Sequence, residues 1–273
     1  MNSLLALDFE LGPTLERAIR DAIDGQCAFS VLDRRLSPRR RDEQLEILGA
    51  THVVDENGRT TRENGQQVDG DIGLVMLTSG SSGDPKAVEL TWDALRASAE
   101  LTQSTLRVDG AAPVWFPCLP ACHIGGLAVL LRAILSDATL QWGGEDDIDS
   151  APSHGATHIA LVRPQLLRHD LRGYAKVLLG GAKPPVALPE NVIATWGMTE
   201  TGSGVVYDGT PLAGVDVASV EGELCVRTPT LFRSYRTSPR PRVVGPDGLD
   251  DWFPTGDGGD VINGTVSVRG RVG

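Results

Sequence analysis

At 273 residues, 41% of them hydrophobic, the chain can bury a substantial core and form one large domain or two modest ones. A formal net charge of −11 argues against a broad nucleic-acid footprint. Residues 1–12 lack a basic start followed by an apolar core, and the longest apolar stretch, 127–135, contains Arg132 and is too short for a bilayer; neither a secretory signal nor membrane insertion is expected, and the expected location is cytoplasmic.

Apolar β-type runs alternate with helical patterns through most of the chain, the signature of an α/β fold. The pattern predicts a helix over 15–23, a short strand over 52–55, and an apolar run over 72–77 that drives into a small-residue loop. Thr91 has the character of an N-cap, with Asp93 in the first turn of a helix reaching about Leu106. A strand over 114–116, a helix over 126–135 and a strand over 139–142 follow. The alternation continues through 158–162, 165–171, 176–179 and 192–195.

Beyond about residue 205 helical periodicity fades. Short strands such as 223–226 and 265–269 are separated by Pro, Gly and Asp, which suggests a small β-rich subdomain. The stretch 233–251, with its prolines and arginines, reads as a loop. So does the neighbourhood of Ser37 and Pro38, where Arg34, Arg35, Arg39, Arg40 and Arg41 form a local cluster that reads as a solvated face. The expected organisation is an α/β nucleotide- and acyl-binding core over 1–204 and a β-rich subdomain of the same large domain over 205–273.

Four cysteines, Cys27, Cys118, Cys122 and Cys225, form no CxxC pair and no regular framework, so reduced thiols are expected. Cys118 and Cys122 precede His123, but no second ligand pair follows to complete a zinc site.

The most informative segment is Leu77-Thr78-Ser79-Gly80-Ser81-Ser82-Gly83-Asp84-Pro85-Lys86. Small residues leave backbone N–H groups accessible, the hydroxyls add donors and Lys86 adds positive charge. These are the requirements for wrapping a polyphosphate. The spacing is not that of the Walker loop, because Gly80 and Gly83 are three apart and Pro85 precedes the lysine. Further along, His123 stands before Gly125 and Gly126 at the mouth of a helix, where absent side chains allow a ligand to approach closely. Thr199 and Glu200 follow a strand, where the glutamate by itself could be a solvated turn residue.

Thr-Ser-Gly-Ser-Ser-Gly-x-Pro-Lys resembles the phosphate-binding signature of the adenylate-forming enzymes, the acyl-CoA synthetase and luciferase superfamily, with Ala87 where that family usually has Gly. Five further segments match in order, the last two being Thr255-Gly256-Asp257 and Gly270-Arg271. The His123 segment resembles the motif whose histidine lines the junction of phosphate and acyl pockets, and Gly180-Gly181-Ala182 matches the segment along adenine. Trp196-Gly197-Met198-Thr199-Glu200 resembles Tyr-Gly-x-Thr-Glu, with Trp196 in place of the tyrosine. The resemblance implies that Trp196 flanks adenine, Thr199 touches the α-phosphate and Glu200 holds Mg²⁺. It also implies that Asp257 accepts the ribose hydroxyls and Arg271 reaches the ribose.

The fold implied is the family's large N-terminal domain, stacked β-sheets flanked by helices, with the small mobile C-terminal domain expected to be missing after residue 273. The sub-family most similar in its His-Ile-Gly-Gly-Leu-Ala and Ala-Thr-His-Val-Val segments is o-succinylbenzoate–CoA ligase of menaquinone biosynthesis. ATP, Mg²⁺ and CoA would then be required, with an aromatic carboxylate as substrate and a poor CoA step by this chain alone. Its second carboxylate calls for a cation or hydroxyls in the acyl pocket; Arg132 and Arg163 are candidates by position, with surface placement the competing reading of each. Alternatives are another acyl- or aryl-CoA ligase, a stand-alone adenylating enzyme, or a nucleotide-binding module without turnover. The sequence leaves the oligomeric state open, a homodimer among the options.

Overall fold

The computed structural model describes residues 1–79, 85–108, 111–136 and 138–272, with Ser79 described by its backbone alone. Three sheets organise it, of eight, seven and four strands. In the first, the parallel strands Leu4–Leu7, Ala28–Val31, His52–Asp55 and Ile72–Ser79 form the centre. Their inward side chains account for much of the core: Leu4, Phe29 and Leu74 are fully buried. Such near-continuous apolar runs are what a strand covered on both faces requires.

The second sheet is built from Val114–Phe116, Thr139–Leu140, His158–Val162, Lys176–Gly180 and Val192–Met198 in parallel, extended by the antiparallel strands Ser203–Tyr207 and Thr210–Pro211. The third is a wholly antiparallel sheet of Asp216–Val220, Glu223–Arg227, Phe253–Ile262 and Thr265–Arg271. It begins at Asp216; the hairpin just before it completes the second sheet.

Two helices lie between the first two sheets. Trp92–Leu106 packs on the strands around residues 72–91, Ile124–Leu135 packs on His158–Val162 and Ser203–Tyr207, and the helices pack on each other. Thr91 caps the first of them as its sequence predicts, its hydroxyl accepting from the Ala94 N–H at 3.1 Å.

Three local expectations are corrected. The arginine cluster is only partly a loop: Arg34 and Arg35 lie in a turn, but Pro38–Leu48 is a helix, with Pro38 in its first turn and Gly49 at φ 63° ending it. Leu45 and Leu48 are its inward positions, while Arg39 and Arg40 face outward. The 165–171 pattern yields only a helical turn, Arg163–Leu166, before the chain bends toward buried Leu171. The 233–251 stretch contributes the strands Ser234–Tyr235 and Ser238–Pro239 to the edge of the first sheet.

No helix among the described residues is long and apolar enough to cross a membrane, and the four cysteines are free. Burial pushes the thiols of Cys118, Cys122 and Cys225 up, to about 12, 11 and 11.

Burial also lowers His52, His123 and His158 below the ordinary histidine range. His158, 2% exposed, lies against the ring of Trp115, and its Nε2 meets the Leu106 carbonyl at 3.0 Å. These groups are more basic in the unfolded chain, so stability is fully present above the unfolded value of about 6.5 and declines as pH falls through it. Denaturant melts at pH 7.5 and 5.5 are expected to show this loss, and His158→Gln is expected to flatten it.

Candidate active site

All three sheets contribute to the wall of one cavity of about 1310 Å³. The first sheet supplies Thr78, Lys86 and Tyr235, the second Gly180, Gly197 and Thr195, and the third Glu223, Thr255 and Arg271. His123, Thr199 and Glu200 are further sequence-predicted groups on that wall.

Thr78 and Lys86 are cross-strand partners in the hairpin of Ile72–Ser79 with Pro85–Thr91. The phosphate-loop motif therefore straddles a β-hairpin rather than a strand-to-helix turn. Ser79 pairs with Pro85 through the backbone; Gly80, Ser81, Ser82 and Gly83 lie outside the described residues. Lys86 is exposed, with its Nζ 5.1 Å from the centroid of the Tyr235 ring.

Thr199 and Glu200 open a single 3-10 turn after Val192–Met198. Glu200 is held twice by the segment from residue 232 to 235. Its carbonyl accepts from the Phe232 N–H at 2.8 Å, and its Oε1 accepts from the Tyr235 hydroxyl at 3.0 Å. Gly197 lies at a bulge against Ser203–Tyr207, where a Cβ would come within 2.2 Å of the Ser203 carbonyl oxygen.

His123 is the N-cap residue of Ile124–Leu135, and its carbonyl accepts from Gly126 and Leu127. Its Nε2 lies 3.0 Å from Nη2 of Arg35, whose guanidinium grips Asp33 through two contacts of 2.7 Å. Burial first, and Arg35 second, lower the His123 pKa, which favours the neutral ring. The ligand atoms of Asp33, Cys122 and His123 lie within 4.8 Å of one another, but all three groups already face the Arg35 guanidinium. The paired glycines divide their work in a way the motif does not reveal. A Cβ on Gly126 would sit 2.3 Å from the Pro120 carbonyl oxygen, so its bareness serves tight packing, whereas Gly125 has room.

Gly180 ends its strand and Gly181 adopts φ 82°; both reach the cavity, and exposed Ala182 lies just beyond them. Trp196 and Asp257 stand beside the wall rather than on it. The Trp196 Nε1 donates to Asp257 Oδ2 at 2.8 Å, and Arg271 Nε lies 3.2 Å from Oδ1. Arg271 is held in a paired strand, with Nη1 donating to the Thr255 carbonyl at 3.1 Å.

Of the two arginines considered for a second carboxylate, Arg163 is exposed at the start of its helical turn. Arg132 is 3% exposed and lines the cavity. Its Nη2 donates to Ser203 Oγ at 2.8 Å and its guanidinium stacks over Trp115 at 5.0 Å, while Nε and Nη1 have no partner among the described residues. Arg35 and Tyr235 are site residues that sequence reasoning missed, the first because it reads as one member of a solvated cluster, the second because it falls in a presumed loop.

A family model described as AMP-binding enzyme matches residues 34–236. The chain belongs to the AMP-binding enzyme family. A protein from Mycobacterium tuberculosis named "Probable 2-succinylbenzoate--CoA ligase" is 33% identical over 235 residues, covering 76% of this chain and 60% of that protein. The 2-succinylbenzoate--CoA ligase of Escherichia coli is 31% identical over 218 residues, covering 72% and 47%. This chain thus spans about half to three-fifths of the length of these AMP-binding relatives.

Among solved structures, wild-type Escherichia coli MenE with a bound phenylether-linked analogue of OSB-AMS aligns with TM-score 0.77 and 27% identity over 99% of this chain and 67% of that one. The Bacillus subtilis o-succinylbenzoate coenzyme A synthetase, in complex with ATP and magnesium ion, shares the fold with TM-score 0.81 and 23% identity, over 98% of this chain and 69% of that one. The stacked α/β sheets expected of an adenylate-forming N-terminal domain are therefore those observed.

Gly126→Ala is expected to lower stability by about 1–3 kcal/mol, the usual range for forcing atoms into a packed site. Gly125→Ala, whose Cβ would meet Leu119 at an ordinary contact distance of 3.7 Å, should leave the melting temperature unchanged or raise it, and thermal denaturation of the pair checks the distinction.

Proposed function

We propose that this chain carries the adenylation site of an AMP-forming acid–thiol ligase acting on o-succinylbenzoate, with ATP, Mg²⁺ and CoA as its co-reactants. The observation that carries this reading is one cavity bearing both the Lys86, Thr199 and Glu200 set and the buried, partly unpartnered Arg132. The first set suits a triphosphate. The second suits an anionic group remote from the reacting carboxylate, because a desolvated guanidinium gains most from a carboxylate that can face its free N–H groups. The names of the Mycobacterium tuberculosis and Escherichia coli relatives support the acyl group and the thiol.

In the reaction proposed, a carboxylate oxygen of the substrate bonds to the α-phosphorus of ATP and pyrophosphate leaves. The CoA thiol, losing its proton, then bonds to the acyl carbon and AMP leaves. Lys86 screens the phosphate charge, Thr199 contributes a hydroxyl at the α-phosphate, and neutral His123 stands where the two ligands meet. Alignment of two anions and neutralisation of their charge make up most of the catalysis such a site supplies. The Thr199 hydroxyl and Glu200 carboxylate form a hard-oxygen donor set that fits Mg²⁺, and the ion supplies charge neutralisation on the phosphates. Asp257, oriented by Trp196 and Arg271, serves the ribose; Gly180, Gly181 and Ala182 lie along the base.

Substrate-dependent pyrophosphate exchange across a panel of carboxylates tests the reading. o-Succinylbenzoate should give a signal well above benzoate, and equal signals would remove the assigned acyl group. Arg132→Met should abolish that preference, costing about tenfold or more on the dicarboxylate and little on benzoate. Lys86→Ala and Asp257→Ala should both weaken ATP binding in calorimetric titration, and unchanged affinity in both would discard the site.

A further inference from the structure

Lys86 and Glu200 come from different sheets and different motifs, yet a single side chain touches both. Tyr235 is 8% exposed; its hydroxyl donates to Glu200 Oε1 at 3.0 Å and its ring underlies the Lys86 ammonium at 5.1 Å. The ring itself is fixed from behind. Phe232 packs against it at 4.8 Å between centroids, and Phe253 packs edge-on against Phe232 at 5.1 Å.

The backbone around Tyr235 is equally constrained. Tyr235 pairs with Val88 and Ser234 with Glu89 on the strand that carries Lys86. The Arg233 N–H donates to the Glu89 carbonyl at 2.8 Å and the Arg236 N–H to the Ala87 carbonyl at 2.9 Å. Two side chains reinforce this seam: Ser234 Oγ donates to Glu89 Oε2 at 2.9 Å, and Arg236 Nη1 to Glu89 Oε1 at 3.0 Å. From the other side Phe232 N–H holds the Glu200 carbonyl. A five-residue segment, 232–236, therefore grips the lysine strand with one edge and the carboxylate turn with the other.

We propose that Tyr235 is a positioning residue for the adenylation site: its hydroxyl fixes the Glu200 carboxylate for the metal, and its ring fixes the Lys86 ammonium for the phosphates. The hydroxyl occupies one carboxylate oxygen, Oε1, and so orients the group. This rests on the functional reading above, but it divides into two arms that can be separated. The metal arm needs only the hydroxyl; the phosphate arm needs only the ring.

The test measures Mn²⁺ binding in the presence of ATP by electron paramagnetic resonance, and ATP binding without metal by calorimetry, on the whole chain. Tyr235→Phe keeps the ring and should weaken Mn²⁺ binding by about tenfold, the scale of one lost hydrogen bond to a charged group. Its metal-free ATP affinity should stay within about twofold, since the cation–ring contact is retained. Tyr235→Leu should lose both. Pyrophosphate exchange by Tyr235→Phe should show a raised half-saturating Mg²⁺ concentration, with the rate recovered at high Mg²⁺.

Wild-type Mn²⁺ affinity in Tyr235→Phe overturns the proposal, as does a loss of metal-free ATP affinity equal to that of the leucine variant. If Mn²⁺ and ATP bind and separate as expected but no carboxylate supports exchange, the positioning role stands and the functional reading falls. If the wild-type chain binds neither, both fall.

Discussion

The antiparallel pairing of Pro85–Thr91 on both of its edges is the constraint on which the site depends. One edge closes the hairpin with Ile72–Ser79 and so fixes Thr78 opposite Lys86. The other receives Ser234–Tyr235 and brings that segment to Glu200. At its far end the strand delivers Thr91 as the cap of the helix that separates the two large sheets. Backbone ladders are obligatory partners for buried N–H and C=O groups, so the position of Lys86 follows from pairing rather than from the lysine's own contacts.

Much of this was legible in the sequence, for identifiable reasons. The strands at 52–55, 114–116 and 158–162 and the Thr91 cap were readable because an apolar run or a capping residue is a local signal. The motif residues His123, Thr199 and Glu200 do converge on one cavity with Lys86. What escaped was non-local. Ser234–Tyr235 is a strand only because the Pro85–Thr91 edge is available to it. Pro38–Leu48 shows little periodicity because only Leu45 and Leu48 face inward. Gly126 and Gly197 look like concessions to a ligand, yet the atoms they avoid belong to the chain itself. No pattern of spacing distinguishes those two causes; only the positions of Pro120 and Ser203 do.

The groups divide by how firmly they are held. Glu200 is fixed at both backbone and side chain, and Asp257 is bracketed by Trp196 and Arg271. Lys86, by contrast, is exposed and restrained chiefly through its strand and one aromatic face. The two carboxylates are built in, while the long cation on its exposed stem is less restrained. A compact, strongly hydrated ammonium on a flexible stem tolerates this arrangement, because its three donors have no planar geometry to preserve.

Arg132 has a consequence for the molecule as a whole. Its guanidinium has left water for the interior, yet two of its nitrogens find no acceptor among the described residues. An anionic ligand that faces those nitrogens would complete the packing of the protein as well as occupy its site. Selection for folding alone would replace such a residue with an apolar one. An arginine kept there at a cost in intrinsic stability is one whose place in this cavity packing alone does not explain.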